Sequence, residues 1–388
     1  MPKLVLDTQT LTLNVAIFVS MLGFSIITPI LPLYAREVGA SSLMVGFLIG
    51  AFSLARALVV SHVGILSDRL GRKRFLLAGL LGFSIVSFGM IWASTPETLL
   101  LARIGQGIFS AMVLPIAMAI IADLAPSGFE GRSFAGFNIS FLLGLGLGPM
   151  VGGFIFEAWG MNSNFYCMSL ICLLSFFMVL ILIKPSKSAV TDSTPTKLSS
   201  DLHLLKDRTL QGVFINRIAN NMGTGIYIAF LPMLCADKGI SPAGVGVLFA
   251  INTIIMMVVQ KPAARLTDTK YRVQLAGFSS IAAGLCKIVL PLADSFTAFL
   301  IIVTIEGVMA GAAMPSTNAL AVSAGRRLKV GMGAVMGFSS MAISIGFFIG
   351  PVGGGWLADL ISVPTAFWLI GSLVTIGAAS PLFMQSKK

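Results

Sequence analysis

The chain has 388 residues, 56% hydrophobic and only 11% charged, with a mean hydropathy of +0.95. A soluble domain carries about 25% charged residues, so this composition excludes a soluble enzyme, a secreted disulfide scaffold and a disordered protein. Long apolar runs, rather than ~10-residue alternation, also exclude a porin-type barrel and leave an all-α polytopic membrane protein.

Breaks at charges, Pro and Ser/Asn clusters predict twelve spans. Span 1 covers 10–35. Its apolar run, from Leu11 to Ala35, exceeds a signal-peptide core and has no small-residue cleavage site. Asn14, Met21, Ser25 and Thr28 give it a thin polar stripe. Span 2 (42–66) holds Arg56 at its middle and His62, read as a buried, hydrogen-bonded histidine. Span 3 is 74–94. On span 4 (98–123), Arg103, Gln106 and Ser110 share a face at spacings 3 and 7, and Asp123 ends the span. Span 5 (132–157) is glycine-rich and ends at Glu157. Span 6 is 163–184.

The stretch 185–208 is Ser/Thr/Pro/Lys-rich and reads as a flexible linker. It separates an N-terminal six-helix bundle (1–184) from a C-terminal one (209–388). On span 7 (209–236), Arg217, Asn220, Asn221 and Thr224 line a face that Tyr227 continues. On span 8 (242–266), Asn252, Met256 and Gln260 repeat every four residues, with Lys261 near one end. Span 9 (272–292) carries Lys287 near its other end. Both lysines read as snorkelling to lipid headgroups. Span 10 (296–322) holds Glu306, the one carboxylate well inside a span. Spans 11 (331–358) and 12 (363–384) complete the chain. Cys167, Cys172, Cys235 and Cys286 have no metal or disulfide spacing and read as small hydrophobes.

Of the 26 Lys and Arg, nineteen fall on one side of this topology, two on the other (Arg36 and Lys238) and five inside spans. The positive-inside rule then places both termini in the cytoplasm. The net charge of +11 is topology and anionic-lipid contact, not nucleic-acid binding.

The halves repeat. At an offset of 200, Pro32, Val45, Gly46, Asp68, Gly107 and Pro115 match Pro232, Val245, Gly246, Asp268, Gly307 and Pro315. At 202, Gly144, Gly148, Pro149, Gly152 and Gly153 match Gly346, Gly350, Pro351, Gly354 and Gly355. Six helices per half make the repeats parallel, with a substrate site expected between them near the midplane.

Gly64-Ile-Leu-Ser-Asp68-Arg69-Leu-Gly71-Arg72-Lys73-Arg74 resembles the loop 2–3 signature of the major facilitator superfamily. Arg103-Ile-Gly-Gln106-Gly107 resembles its helix-4 motif. Gly144 to Gly153 resembles the helix-5 motif of its twelve-helix drug/proton antiporter branch, and Gly23 to Pro32 the helix-1 motif. The resemblance covers the whole chain. It implies that Gly64, Asp68, Arg69, Gly71, Arg72 and Asp123 form a conformational latch. It also implies that helices 1, 4, 7 and 10 line the central cavity. The glycine motif implies close helix packing and accompanies export in that branch. Its recurrence in span 11 argues for a symmetric structural role.

Charges inside a membrane are costly and face a cavity or a partner. The candidate substrate residues are Arg56, Arg103, Gln106, Arg217, Asn220, Asn221, Thr224, Tyr227, Asn252 and Met256. Glu306 is the candidate proton carrier, because a carboxylate in such a cavity can exchange a proton for substrate on alternate strokes. The alternative is a structural ion pair with an arginine of another span. Span 1 has no embedded acid, Asp7 lying outside it, unlike many drug/proton antiporters. Three arginines and one glutamate favour an anionic or zwitterionic amphiphile.

The leading reading is a monomeric, proton-coupled exporter in the inner (plasma) membrane. Its partners are a small-molecule substrate, protons and lipids, and no cofactor or metal is expected. Proton-coupled uptake of an organic anion or siderophore is the alternative. A transport-inactive receptor or lipid-handling protein on the same fold is a further one. No paired carboxylates, His cluster or nucleophile–base set points to an enzyme, and no G-x-x-x-x-G-K-[ST] points to a nucleotide-driven pump.

Overall fold

The computed structural model describes residues 8–124, 130–184, 206–267, 271–328, 330 and 332–384. Residues 185–205 of the predicted linker and Asp268 of the second latch copy lie outside these. Among the described residues every regular element is helical. Eleven helices are long and apolar enough to cross a membrane, and Gln9–Ser25 is a shorter apolar twelfth.

Span 2 is Ser42–Leu70, span 3 begins at Arg72, span 5 is Glu130–Trp159 and span 6 is Met161–Leu182. Spans 7 to 12 are Arg208–Asp237, Pro242–Thr267, Arg272–Val289, Phe296–Arg327, Met332–Leu360 and Val363–Ala378. Spans 1 and 4 depart from the predicted single helices. Span 1 divides into Thr8–Ser25 and Leu31–Glu37, and span 4 into Pro96–Ser110 and Leu114–Leu124. Proline removes an N–H and crowds the carbonyl four residues back, and Pro29 and Pro115 sit at these breaks. Ser25 Oγ also donates to the Met21 and Gly144 carbonyls, at 2.8 and 3.0 Å. Pro149, Pro232, Pro315 and Pro351 stay inside continuous helices.

Local signals repeat with the halves. Ser41 caps span 2 by accepting from Met44 N–H, and Ser241 accepts from Gly244 N–H at the start of span 8. The turns before both caps need a left-handed residue and have Gly39 (φ 87°) and Gly239 (φ 70°).

Three apolar clusters set the shape. Two are private: one lies in the N-terminal bundle around Leu13, Val63, Ile120 and Phe137, the other in the C-terminal bundle around Leu210, Leu320 and Phe338. Both sit toward the basic end, which bears Arg69, Arg72, Lys73 and Arg74. The third, toward the opposite end, is shared: Leu48 and Phe165 of one half join Phe230, Leu248 and Phe367 of the other.

The bundles interlock at that opposite end through glycine. A side chain on Gly46 would strike the Pro351 carbonyl, and one on Gly246 the Pro149 carbonyl. Gly153 lies against the Pro242 carbonyl and Gly355 against the Ser42 carbonyl. The rest of each motif faces its own bundle: Gly144, Gly148 and Gly152 abut span 1, and Gly346 and Gly350 abut span 7. Small residues allow such approach where no hydrophobic force separates helix from lipid. Carboxylates then close the seam. Asp359 accepts from Ser42 and Leu43 N–H at 2.7 and 2.8 Å, and Glu157 accepts from Ala243 N–H at 2.9 Å. These are orphan donors of helix N-termini, where negative charge is favourable.

A leucine at Gly46 or Gly246 is therefore expected to prise this end open, at an overpacking cost of about 1–3 kcal/mol. Disulfide cross-linking of Phe47→Cys with Phe348→Cys, whose native rings lie 6.3 Å apart, should fall several-fold in either leucine variant. Unchanged cross-linking would show that the glycines do not hold the seam.

Candidate functional site

In the C-terminal bundle, Lys287 Nζ donates to Glu306 Oε1 at 2.5 Å, and Asn252 Nδ2 donates to Glu306 Oε2 at 2.7 Å. Three spans thus meet on one carboxylate. Lys287 is 3% exposed, which corrects its reading as a snorkelling residue. Its stem lies against Gly223 of span 7, where any side chain would collide with Cδ and Cε. The ion-pair partner of Glu306 is this lysine, not an arginine. Tyr227 and Cys286 border the same narrow cleft, and the Tyr227 hydroxyl is buried without a hydrogen-bond partner.

The equivalent pair in the N-terminal bundle is neutral. At an offset of 200, Ser87 stands for Lys287 and Gln106 for Glu306, and Gln106 Nε2 donates to Ser87 Oγ at 3.0 Å. Arg103 adds a cation there. It donates to the Leu48 carbonyl at 3.1 Å and to Gln106 Oε1 at 2.9 Å, over the Phe52 ring. Arg103 and Gln106 are buried inside their bundle rather than lining an open wall. The shared face predicted for them is a helix–helix contact in this structure.

Nearer the basic end, Arg217 is 8% exposed and donates to Asn318 Oδ1 of span 10, while its Nε has no partner. Among the described residues, no carboxylate lies in ion-pair range of Arg56, Arg103 or Arg217. The other polar groups of span 7 are partly self-satisfied. Asn220 donates to the Asn216 carbonyl and Ser280 Oγ, Asn221 to the Arg217 carbonyl, and Thr224 to the Asn220 carbonyl. Arg56 is half-buried at the middle of span 2, and Met256 is half-buried on span 8. His62 is exposed, not buried as predicted.

The loop 2–3 residues form a compact network within the N-terminal bundle. Arg72 Nε donates to Asp68 at 2.9 Å, and Arg72 Nη1 donates to Asp123 at 2.5 Å and to the Ala119 carbonyl at 3.0 Å. Gly71 has φ 103°, a left-handed turn that puts Arg72 at the start of span 3 facing the end of span 4. Arg69 is exposed, and open space surrounds Gly64. Lys287, Asn318 and Asp359 escaped sequence reasoning. The repeat held a signal for the first: the 19-residue interval from Ser87 to Gln106 recurs from Lys287 to Glu306. A touching neutral pair at the first interval marks a touching charged pair at the second.

Two parallel helical repeats, joined at one end and carrying buried charge at mid-span, define a secondary transporter. The major facilitator superfamily model matches residues 13–334 and again 212–388. An uncharacterized MFS-type transporter, MJ1560, of Methanocaldococcus jannaschii is 31% identical over 369 residues, covering 93% of this chain and 94% of that protein. The quinolone resistance protein NorA of Staphylococcus aureus is 26% identical over 372 residues, covering 94% of each. A bacterial homologue of the human lysosomal transporter Spinster, solved in an inward-facing, unoccupied form, shares the fold. It is 14% identical, with a TM-score of 0.80 over 97% of this chain and 96% of its own. The chain belongs to the major facilitator superfamily and is a multi-pass membrane transporter.

Breaking a buried ion pair from one side leaves an uncompensated charge and costs about 3–5 kcal/mol, whereas removing both charges can be neutral. Lys287→Met is therefore expected to lower the melting temperature in detergent clearly. Lys287→Gln with Glu306→Gln, which makes the pair neutral as Ser87 and Gln106 are, should recover most of it. A single variant as stable as wild type would show that the pair is not buried in solution.

Proposed function

We propose that this transporter exports a zwitterionic amphiphile in exchange for protons. The observation that carries the reading is Glu306, an embedded carboxylate held by groups from two other spans. A carboxylate so placed can hold a cargo ammonium in one half-cycle and give it up in the other. Arg217, with an unpartnered Nε beside Asn318, offers the complementary place for a cargo carboxylate. Glu306 and Asn318 are 12 residues apart on span 10, about 18 Å of helix rise before side-chain reach is subtracted. That separation suits an extended amphiphile with a charge at each end. The name of the staphylococcal relative, quinolone resistance, supports outward movement.

The basic end faces the cytoplasm in this reading, as charge bias requires. The shared apolar cluster and the glycine seam then lie at the outer face, and the cavity opens inward. Cargo enters from the cytoplasm and bridges Arg217 and Glu306. The two six-span halves rock about the seam, and cargo leaves outward. Arg72, Asp68 and Asp123 brace the inner ends of spans 2, 3 and 4 as one body during that movement. Arg56 and the span 7 amides supply further polar wall.

A second reading rests on the arginines alone. With no carboxylate in ion-pair range of Arg56 or Arg217 among the described residues, an organic anion fits, taken up with a proton.

Proteoliposomes with an acid lumen and norfloxacin outside separate the two. Exchange is expected to carry protons out of the lumen as norfloxacin enters it, with Glu306→Gln at least tenfold slower. Movement of protons and cargo in the same direction supports the anion reading. Proton-free transport, or a Glu306→Gln variant equal to wild type, rejects the coupling role.

A further inference from the structure

Glu306 and Lys287 together hold one proton when they form their neutral pair. Adding a proton leaves the cleft at +1 and removing one leaves it at −1. Either state is expensive where solvent is excluded. The cleft beside the pair admits no water-sized guest while Lys287 occupies it. An arriving ammonium must therefore take the place of the Lys287 ammonium on Glu306, and the pair cannot then keep its proton.

We infer that Lys287 is the group that parts with the exchanged proton, displaced from Glu306 by the amine of the cargo. This deepens the export reading and rests on it. The cargo ammonium forms the new ion pair with the Glu306 carboxylate. The N–H bond broken is on Lys287 Nζ, the electron pair stays on nitrogen, and the proton passes to water entering from the cavity. The site ends as carboxylate, cargo ammonium and neutral lysine, with no net change in buried charge. On the opposite stroke, a proton from outside restores the lysine ammonium, which expels the amine.

The surroundings favour that chemistry. Gly223 gives the lysine stem its place, since any side chain there would collide with Cδ and Cε, so Nζ is carried on a stem packed against bare backbone rather than against another side chain. The titratable groups around Nζ are Glu306 of span 10, Tyr227 of span 7 and Cys286 of its own span. Asn252 of span 8 is neutral, and span 12, packed on the same side, carries no titratable residue. Among the described residues, no second carboxylate is in ion-pair range of Lys287. Lysine can lose its proton on burial, whereas arginine remains charged.

The test is binding-linked proton release from the purified full-length chain in weakly buffered detergent, read with a pH dye. The probes are norfloxacin, its ethyl ester (cation only) and its N-acetyl derivative (anion only). Norfloxacin and the ester are each expected to release one proton per molecule bound, and the N-acetyl derivative none. Lys287→Arg keeps the ion pair but cannot release the proton. It should bind the two amines at least tenfold more weakly with no release, while the N-acetyl derivative still binds and reports an intact fold. If Lys287→Arg does not fold, Lys287→Gln decides. Glu306 must then carry the proton itself, so release persists but moves to acid pH. Full release from Lys287→Arg, or an unshifted release curve in Lys287→Gln, overturns the assignment of Lys287 and leaves export standing. No proton release from wild type with either amine, together with proton-free transport in vesicles, overturns the export reading as well.

Discussion

Charge inside an apolar bundle must be balanced, and the Lys287–Glu306 pair is where this chain meets that demand most directly. The two halves descend from one pattern, and the same inter-helix contact recurs in both. In the N-terminal half Gln106 and Ser87 satisfy it with one neutral hydrogen bond. In the C-terminal half the contact carries two opposite charges and a supporting amide from Asn252. A pair of that kind adds little net stability over apolar packing. In the proposed exchange the pair does what a neutral contact cannot: its proton count changes with what is bound.

The rest of the fold keeps that pair in a protein that can move. At one end the bundles touch through backbone: Gly46 on Pro351, Gly246 on Pro149, Gly153 on Pro242 and Gly355 on Ser42. Contacts between carbonyls and glycine Cα atoms need no interdigitated side chains of their own, and the shared apolar cluster packs beside them at the same end. Asp359 and Glu157 add charge-assisted hydrogen bonds to helix N-termini across the same seam. At the basic end the ionic network is of another type. Arg72, Asp68 and Asp123 all belong to one bundle. The seam links the two bodies and the network ties the helix ends of one of them, so in the proposed cycle the same helix-end chemistry serves a hinge at one face and a brace at the other.

Much of this was legible in the amino-acid sequence because lipid forces it to be. Spans must be apolar and helical, so composition dictated the class and the breaks between apolar runs the count. Repeats leave matched glycines, so Gly144 to Gly153 and Gly346 to Gly355 were visible at an offset of 202. Asp68, Arg72 and Asp123 were found through spacing and resemblance, and the structure brings all three together. Tertiary partners were harder. Lys287 lies near a span end, where a long side chain normally reaches water. Only the approach of span 10 and the gap at Gly223 turn it inward. Arg103 and Gln106 share a face as predicted, but that face meets spans 2 and 3, not a cavity. Helix periodicity reports which residues point together, not what they point at.

In the proposed exchange, the direction of transport follows from the sign of the cargo rather than from the glycine motif of span 5, which recurs in span 11 and cannot encode a direction by itself. A neutral ion pair that admits an ammonium must lose a proton to stay neutral. One that admits a carboxylate beside Lys287 must gain a proton on Glu306. The first event couples cargo and proton in opposite directions and the second in the same direction, with no change in the residues involved. A zwitterion whose anionic end is held at Arg217, away from the pair, presents only its ammonium to Glu306 and so falls in the first class. In the proposed exchange the distance between Arg217 and Glu306 is the selector: it sets which charge of the cargo the pair meets, and with it which way the cargo is driven.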